Sequence, residues 1–360
     1  MGRSVNYAVI DLGSNTVRLC VYDVPAVPEG KEAKASKAVS KSAAAGRQER
    51  PPARKFKTIM NRKTMAGLAA YVEDGALSQA GIDKAIDAVR KCLKRAAYLN
   101  PVRTDVFATA ILRNISNSRE AVAAVEGAAG CRIALLSAYD EAHLGFVGAS
   151  SRASLSDGVL IDIGGGSSEV TLVEGGRDVA CASLPQGSLS SYERFVADIL
   201  PTVAEMDALR ASVRELLAST PGASDDGEAE PDDADVAALR AARTPQLYGV
   251  GGSIRALAEV NARMVPGASD VDLSFADVRR LLGDVTATDG RRRAFLDALL
   301  AVAPERIHTI SCGLGILAEL FEEFGGQSLR VCSGGVREGY LLERMLADGR
   351  ADARSGAKRK

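Results

Sequence analysis

Two stretches of this chain share one pattern. An apolar run ends in Asp, a glycine-bearing turn rich in hydroxyl side chains follows, and a second apolar run leads away. The first is Asp11-Leu-Gly-Ser-Asn-Thr16 and the second is Asp162-Ile-Gly-Gly-Gly-Ser-Ser-Glu169. Residues 7–10 and 17–22 read as the strands of one hairpin, and residues 158–163 and 170–173 as those of another. Gly13 allows a tight turn that leaves amide N–H groups free, and Ser14, Asn15 and Thr16 add neutral donors. Consecutive glycines at Gly164, Gly165 and Gly166 are costly in backbone entropy, and close approach to a ligand is a good reason to keep them. Ser167 and Ser168 add hydroxyls, and Asp162 and Glu169 offer hard oxygen ligands suited to Mg²⁺. Taken singly, each loop also fits an ordinary hairpin turn. Neither contains Lys, and no GxxxxGK[ST] pattern occurs, so they are not P-loops. As a pair they predict two related domains facing each other across a cleft, each supplying one phosphate loop.

The rest of the chain supports that division. At 360 residues it is long enough for two domains at roughly 150 residues each. Residues 84–99 read as a helix with Ala85, Ile86, Val89, Leu93 and Ala97 on one face. Strands are expected at 105–110, 133–136, 246–250 and 329–332, and helices near 118, at 140–150, 254–264, 312–324 and 339–346. Alternating strands and helices make this an α/β protein. A third glycine turn, Gly251, Gly252 and Ser253, joins a strand to a helix. It can be an anion site at a helix N-terminus or a plain turn with small-residue packing. Two stretches differ in material: 26–54, rich in Lys, Ala, Ser and Pro, and the acidic 220–235. Both read as flexible insertions, the basic one with a secondary option of steering polyanions.

Composition removes several functions. Net charge is −1, so no global basic field invites nucleic acid or membrane, and a polyanion must be held by local donors. Aromatic residues make up 4% with no Trp, which leaves no base-stacking platform. The six cysteines lack a CxxC pair and read as buried free thiols of a cytoplasmic protein. No apolar run is long enough to span a bilayer. The two histidines, His143 and His308, do not look catalytic, and His143 is expected on a helix surface.

These motifs, in this order, resemble the exopolyphosphatase/guanosine-pentaphosphate phosphohydrolase family (Ppx/GppA). The matching stretches are YAVIDLGSNTVRL, VFATAILRN, LLSAYDEAHLGFVGA, VLIDIGGGSSEV, LYGVGGSIRALAEV and VCSGGVREGYLLERM. The resemblance implies two actin-like (ASKHA, ribonuclease H-like) domains with a cleft between them. They are expected at 1–138 and 139–337, with a closing helix at 338–350 packing back on the first. It implies Glu141 as general base toward a water attacking the terminal phosphorus. It implies Asp162 and Glu169 as ligands of Mg²⁺ or another divalent cation such as Mn²⁺, with Asp11 assisting through water. It puts Arg113 near the phosphates. Departures from the family pattern fall at Ala138, Asp140 and Ser333.

Three readings follow. The first is an exopolyphosphatase, a phosphoric anhydride hydrolase releasing orthophosphate from inorganic polyphosphate. The second is hydrolysis of guanosine pentaphosphate, for which the Gly251–Gly252–Ser253 turn would hold the nucleoside. The third is a non-hydrolysing nucleotide or polyphosphate sensor. A sugar or acetate kinase disagrees with the Glu141 segment. A homodimer is among the expected assemblies.

Overall fold

The computed structural model describes residues 4–26, 55–219 and 233–347. Both charged insertions lie almost wholly outside these residues. The acidic one ends earlier than expected, because a helix spans Asp233–Ala241.

The first sheet is built from β1 (Ser4–Leu12), β2 (Thr16–Pro25) and β3 (Lys57–Met65), and, after a small ribbon of β4 (Val72–Glu73) and β5 (Ala76–Leu77), from β6 (Arg103–Ala108) and β7 (Ile133–Leu135). Its order is β3-β2-β1-β6-β7. The second contains β8 (Gly158–Ile163), β9 (Ser168–Glu174), β10 (Arg177–Leu184), β11 (Gln246–Val250), β12 (Asp272–Ser274) and β13 (Ser328–Val331), ordered β10-β9-β8-β11-β13-β12. Apart from β12 the two sheets are topological copies. In each, a meander of three antiparallel strands continues into two parallel ones. Parallel neighbours need a crossover, and helices supply it. The architecture is the expected α/β pair of actin-like units.

Period-two alternation gives each sheet two apolar faces. In the first, Ile10, Leu12, Val17 and Leu19 pack under the Gln79–Ala97 helix, whose buried stripe is Ile82, Ala85, Val89, Cys92 and Ala96. The opposite face, with Val9, Cys20, Tyr22 and Phe107, receives Leu144, Tyr340 and Leu341. In the second sheet, Ile161 and Val170 pack against Leu257, Leu317 and Phe321 of the Gly251–Met264 and Ile310–Phe324 helices. Its other face, with Leu160, Val173 and Val250, receives Phe146 and Val147.

The Ala138–Ser150 helix therefore serves both sheets, through Leu144 on one side and Phe146 and Val147 on the other. It crosses the Val336–Tyr340 helix at glycines. A Cβ on Gly148 would collide with the Gly335 carbonyl, and one on Gly339 with the Leu144 carbonyl. The closing helix starts two to three residues earlier than the sequence suggested and widens into a π-turn over Leu341–Met345. Tyr340 stacks on Phe107 with ring centroids 5.0 Å apart, which ties this helix to the first sheet. No helix among the described residues is long and apolar enough to cross a membrane.

Candidate active site

Strand register builds the site. Asp11 on β1 lies opposite Arg18 on β2, and Asp162 on β8 lies opposite Glu169 on β9. The loops between them close with the same hydrogen bond: Gly13 N–H donates to Thr16 O at 3.1 Å, and Gly164 N–H to Ser167 O at 2.9 Å. In both lobes the segment after the third strand takes the loop carbonyls. Gly67 and Ala69 amides donate to Asn15 O and Ser14 O, and Ser188 and Leu189 amides donate to Gly164 O and Gly165 O. Turning the carbonyls away leaves the loop N–H groups for an anion. The amides of Gly165 and Gly166 have no hydrogen-bond partner among the described residues.

The two loops meet across a cleft of about 270 Å³. Gly165 and Gly166 pack directly against Ser14, and a Cβ at Gly166 would require the Ser14 hydroxyl to shift. Asp11, Gly13, Ser14, Asn15 and Thr16 line one wall, and Asp162, Gly164, Gly165, Gly166, Ser167 and Glu169 line the other. Gly251, Gly252 and Ser253 line it as well, but they already form the first turn of the Gly251–Met264 helix. Gly251 has φ +88°, and a Cβ there would collide with the Asp162 carboxylate. Glycine is required on both counts.

Two sequence-predicted phosphate contacts do not reach the cleft lining. Ser168 is fully buried and its hydroxyl donates to Gln186 O at 2.7 Å. It occupies the position of Val17 in the other hairpin, one residue out of phase with the lining face. Arg113 donates instead to Glu141 Oε2 at 3.0 Å and to Leu136 O at 2.9 Å, so it fixes a carboxylate. The departures Asp140 and Ser333 also point elsewhere. Asp140 accepts a hydrogen bond from Arg344, and Ser333 is exposed outside the lining.

Glu141 lines the cleft one turn into its helix, which Ser137 caps by accepting from Asp140 N–H. Burial pushes its carboxyl well above the ordinary range, Glu169 adds repulsion, and Arg113 pulls back. Burial likewise pushes Asp162 up to about 6, against the pull of Arg337. Glu169 goes to about 7 through burial and then Asp162, with the Ser167 and Ser183 hydroxyls opposing. Burial makes all three carboxylates costly to ionise, a cost that a proton or a cation would offset.

Among the described residues, no three His, Cys, Asp or Glu side chains gather closely enough to hold a metal by themselves. Asp11 is engaged otherwise, accepting from Arg337 Nη1 at 2.8 Å. Asp162 and Glu169 remain side by side on adjacent strands, and Asp162 has no side-chain hydrogen bond among the described residues. Two carboxylates fit Mg²⁺, which keeps several waters and completes its shell with substrate phosphates.

The sequence reading missed the cations. Arg18, Lys63, Arg255 and Arg306 all line the cleft. Arg18 is opposite Lys63 on β3, so Asp11, Arg18 and Lys63 form one row across three strands. Alternation in the first hairpin could have revealed Arg18. Lys63 lies beyond the basic insertion and Arg306 on the irregular Pro304–Arg306 turn, where no periodic signal exists.

His143 is half-buried rather than on the surface. Its Nδ1 meets Asp178 of β10 and its Nε2 meets Glu343 of the π-turn at 2.9 Å. These hydrogen bonds, which favour the charged ring, raise its pKa to about 10 against the cost of burial.

Known proteins share this fold. The profile of the Ppx/GppA phosphatase family matches residues 49–348. The Ppx/GppA family member of Aquifex aeolicus superposes with TM-score 0.68 at 21% identity, covering 96% of this chain and 99% of that one. An exopolyphosphatase from Cytophaga hutchinsonii gives TM-score 0.71 at 19% identity, covering 96% and 98%. At these identities the structural likeness speaks to the fold.

Proposed function

The chain belongs to the Ppx/GppA phosphatase family, and on that premise we propose that it is a cytoplasmic exopolyphosphatase, hydrolysing the terminal phosphate of inorganic polyphosphate. The observation that carries this reading is Glu141, a buried carboxylate in a cleft lined by the paired carboxylates Asp162 and Glu169 and by cations from both lobes, Arg18 and Lys63 of the first and Arg255 and Arg306 of the second. Glu141 would accept a proton from a water attacking the terminal phosphorus. Its raised basicity suits that task, and the Arg113 contact at 3.0 Å fixes its orientation. A P–O bond to the water oxygen forms, the bridging P–O bond breaks, and the shortened chain leaves as its anion. Loop amides around Ser14, Asn15, Gly165 and Gly166, with the Ser14 and Ser167 hydroxyls, would stabilise charge on the transferring group. Asp162 and Glu169 would hold Mg²⁺ or Mn²⁺, which when bound neutralises phosphate charge and orients the chain. Arg18, Lys63, Arg255 and Arg306 would hold the phosphates further along.

The lining favours polyphosphate over guanosine pentaphosphate. Among the described residues, Phe107 is the only aromatic one in it, and that ring is already stacked on Tyr340. At the turn expected to hold a nucleoside, the Arg306 guanidinium rests against Gly252, so a cation is presented there.

Phosphate release should be measured with long polyphosphate, triphosphate and guanosine pentaphosphate, with and without Mg²⁺. Polyphosphate should show the higher kcat/KM, and a higher value for the nucleotide would transfer the assignment to it. Equal background rates for wild type and Glu141→Gln would leave the sensor reading instead.

A further inference from the structure

One acid sits among the cleft cations. Glu305, on the Pro304–Arg306 turn of the second lobe, accepts a 3.3 Å hydrogen bond from Lys63 Nζ on β3 of the first. The contact spans the cleft between lobes. It also lies at a defined end of it. The row across the first sheet runs Phe107, Asp11, Arg18, Lys63. Phe107 marks the end at the linking helices, where Tyr340 stacks on it. Lys63 marks the other, two strands and so roughly 10 Å beyond Asp11.

The surrounding cations are short of counter-charge. Arg18, Arg255 and Arg306 make no side-chain hydrogen bond or ion pair among the described residues, so Glu305 is the one carboxylate bonded to this group. Burial holds the Lys63 ammonium below its usual pKa, and Arg306 pushes it further down. Such a cluster is completed by an anion. The carboxylate that partly does so is poorly anchored: the Lys63 side chain is 21% exposed and that of Glu305 is 51% exposed. Ion pairs of that exposure are weak and yield to a more highly charged competitor.

We propose that Glu305 is a specificity-determining residue that stands in for substrate at the distal end of the cleft. A phosphate chain long enough to reach Lys63 must displace it, whereas a short chain bound beside Glu141 does not. Glu305 thereby weakens long-chain binding selectively and eases release of the polymer. This rests on the polyphosphate reading above.

The test compares wild type, Glu305→Gln, Lys63→Gln and the double variant. Phosphate release from long polyphosphate and from triphosphate is followed with Mg²⁺, and equilibrium binding of long polyphosphate without it. Glu305→Gln is expected to lower the long-chain KM about threefold, the scale of an exposed ion pair, with triphosphate KM and kcat unchanged. In the Lys63→Gln background the same change should have no effect. An unchanged or raised long-to-short KM ratio, an equal shift for both substrates, or an effect that persists without Lys63 overturns the proposal. If wild type hydrolyses polyphosphate and Glu305→Gln behaves identically in both assays, only the role of Glu305 falls. If wild type binds the chain without hydrolysing it, the binding comparison decides alone. A wild type that neither binds nor hydrolyses it overturns both readings.

Discussion

The same row of four cross-strand neighbours occurs in both lobes with opposite charge. In the first sheet it reads Phe107, Asp11, Arg18, Lys63; in the second it reads Val250, Asp162, Glu169, Ser183. Backbone, turn closure and carbonyl anchoring are shared. The decisive difference is the residue opposite the Asp, Arg18 in one hairpin and Glu169 in the other. Asp11 is neutralised by Arg337 and has Arg18 beside it, so its wall suits phosphate. Asp162 faces Glu169, so its wall suits a cation. A duplicated scaffold has become a two-sided clamp by changing charge at two register positions, Arg18 against Glu169 and Lys63 against Ser183, with Glu141 beside both walls.

The largest expected effect comes from removing the group that both walls serve. Glu141→Gln should reduce kcat by about 100- to 10,000-fold, the range for a lost general base, with little change in KM. Steady-state phosphate release checks this, and a loss confined to KM would argue for a binding role.

Next comes the acidic wall. Glu169→Gln should lower kcat/KM by about a hundredfold, comparable to losing a principal electrostatic stabiliser. Partial recovery at high Mg²⁺ would distinguish a metal ligand from a structural acid. The basic wall should respond differently. Arg18→Gln should raise the polyphosphate KM about tenfold, as expected for one charge-assisted contact, with kcat nearly unchanged. Equal kcat losses on both walls would erase the asymmetry.

Acidity offers a subtler contrast. Asp162 and Glu169 have folded pKa values raised to about 6 and about 7. Their contribution to stability is fully present below the ordinary carboxylate range and is lost as pH rises through 6 to 7. Mg²⁺ should therefore raise Tm at pH 8 and do little at pH 5, in thermal melts with and without the ion.

His143 gives the smallest effect. Its folded pKa of about 10 exceeds its ordinary 6.5, so its ion pairs stabilise fully below that value and fade as pH rises through 10. With the site part-exposed, solvent screening limits the gain. His143→Gln should lower Tm slightly at pH 6 and less at pH 9.5.

The hairpins and their acids were legible because each signal is local: an apolar run, an Asp at its end, a glycine turn. Ser168 was misread because counting hydroxyls ignores alternation, which sends it behind the sheet. The bond from Arg113 to Glu141 was not legible, because its partner lies on another element. Lys63 and Glu305 meet only through the closed cleft, and His143 finds partners on two other elements. Contacts of that range follow from tertiary packing and leave no periodic trace in the chain.

The asymmetry itself can be measured with a matched pair. Mg²⁺ should be titrated against phosphate release from long polyphosphate in Asp11→Asn and Asp162→Asn, at a temperature where melts show both folded. Half-saturating Mg²⁺ should rise at least about tenfold in Asp162→Asn and stay near wild type in Asp11→Asn, as expected when only one acid is a metal ligand. An equal rise in both, or a rise confined to Asp11→Asn, would contradict a metal held by the second lobe's hairpin.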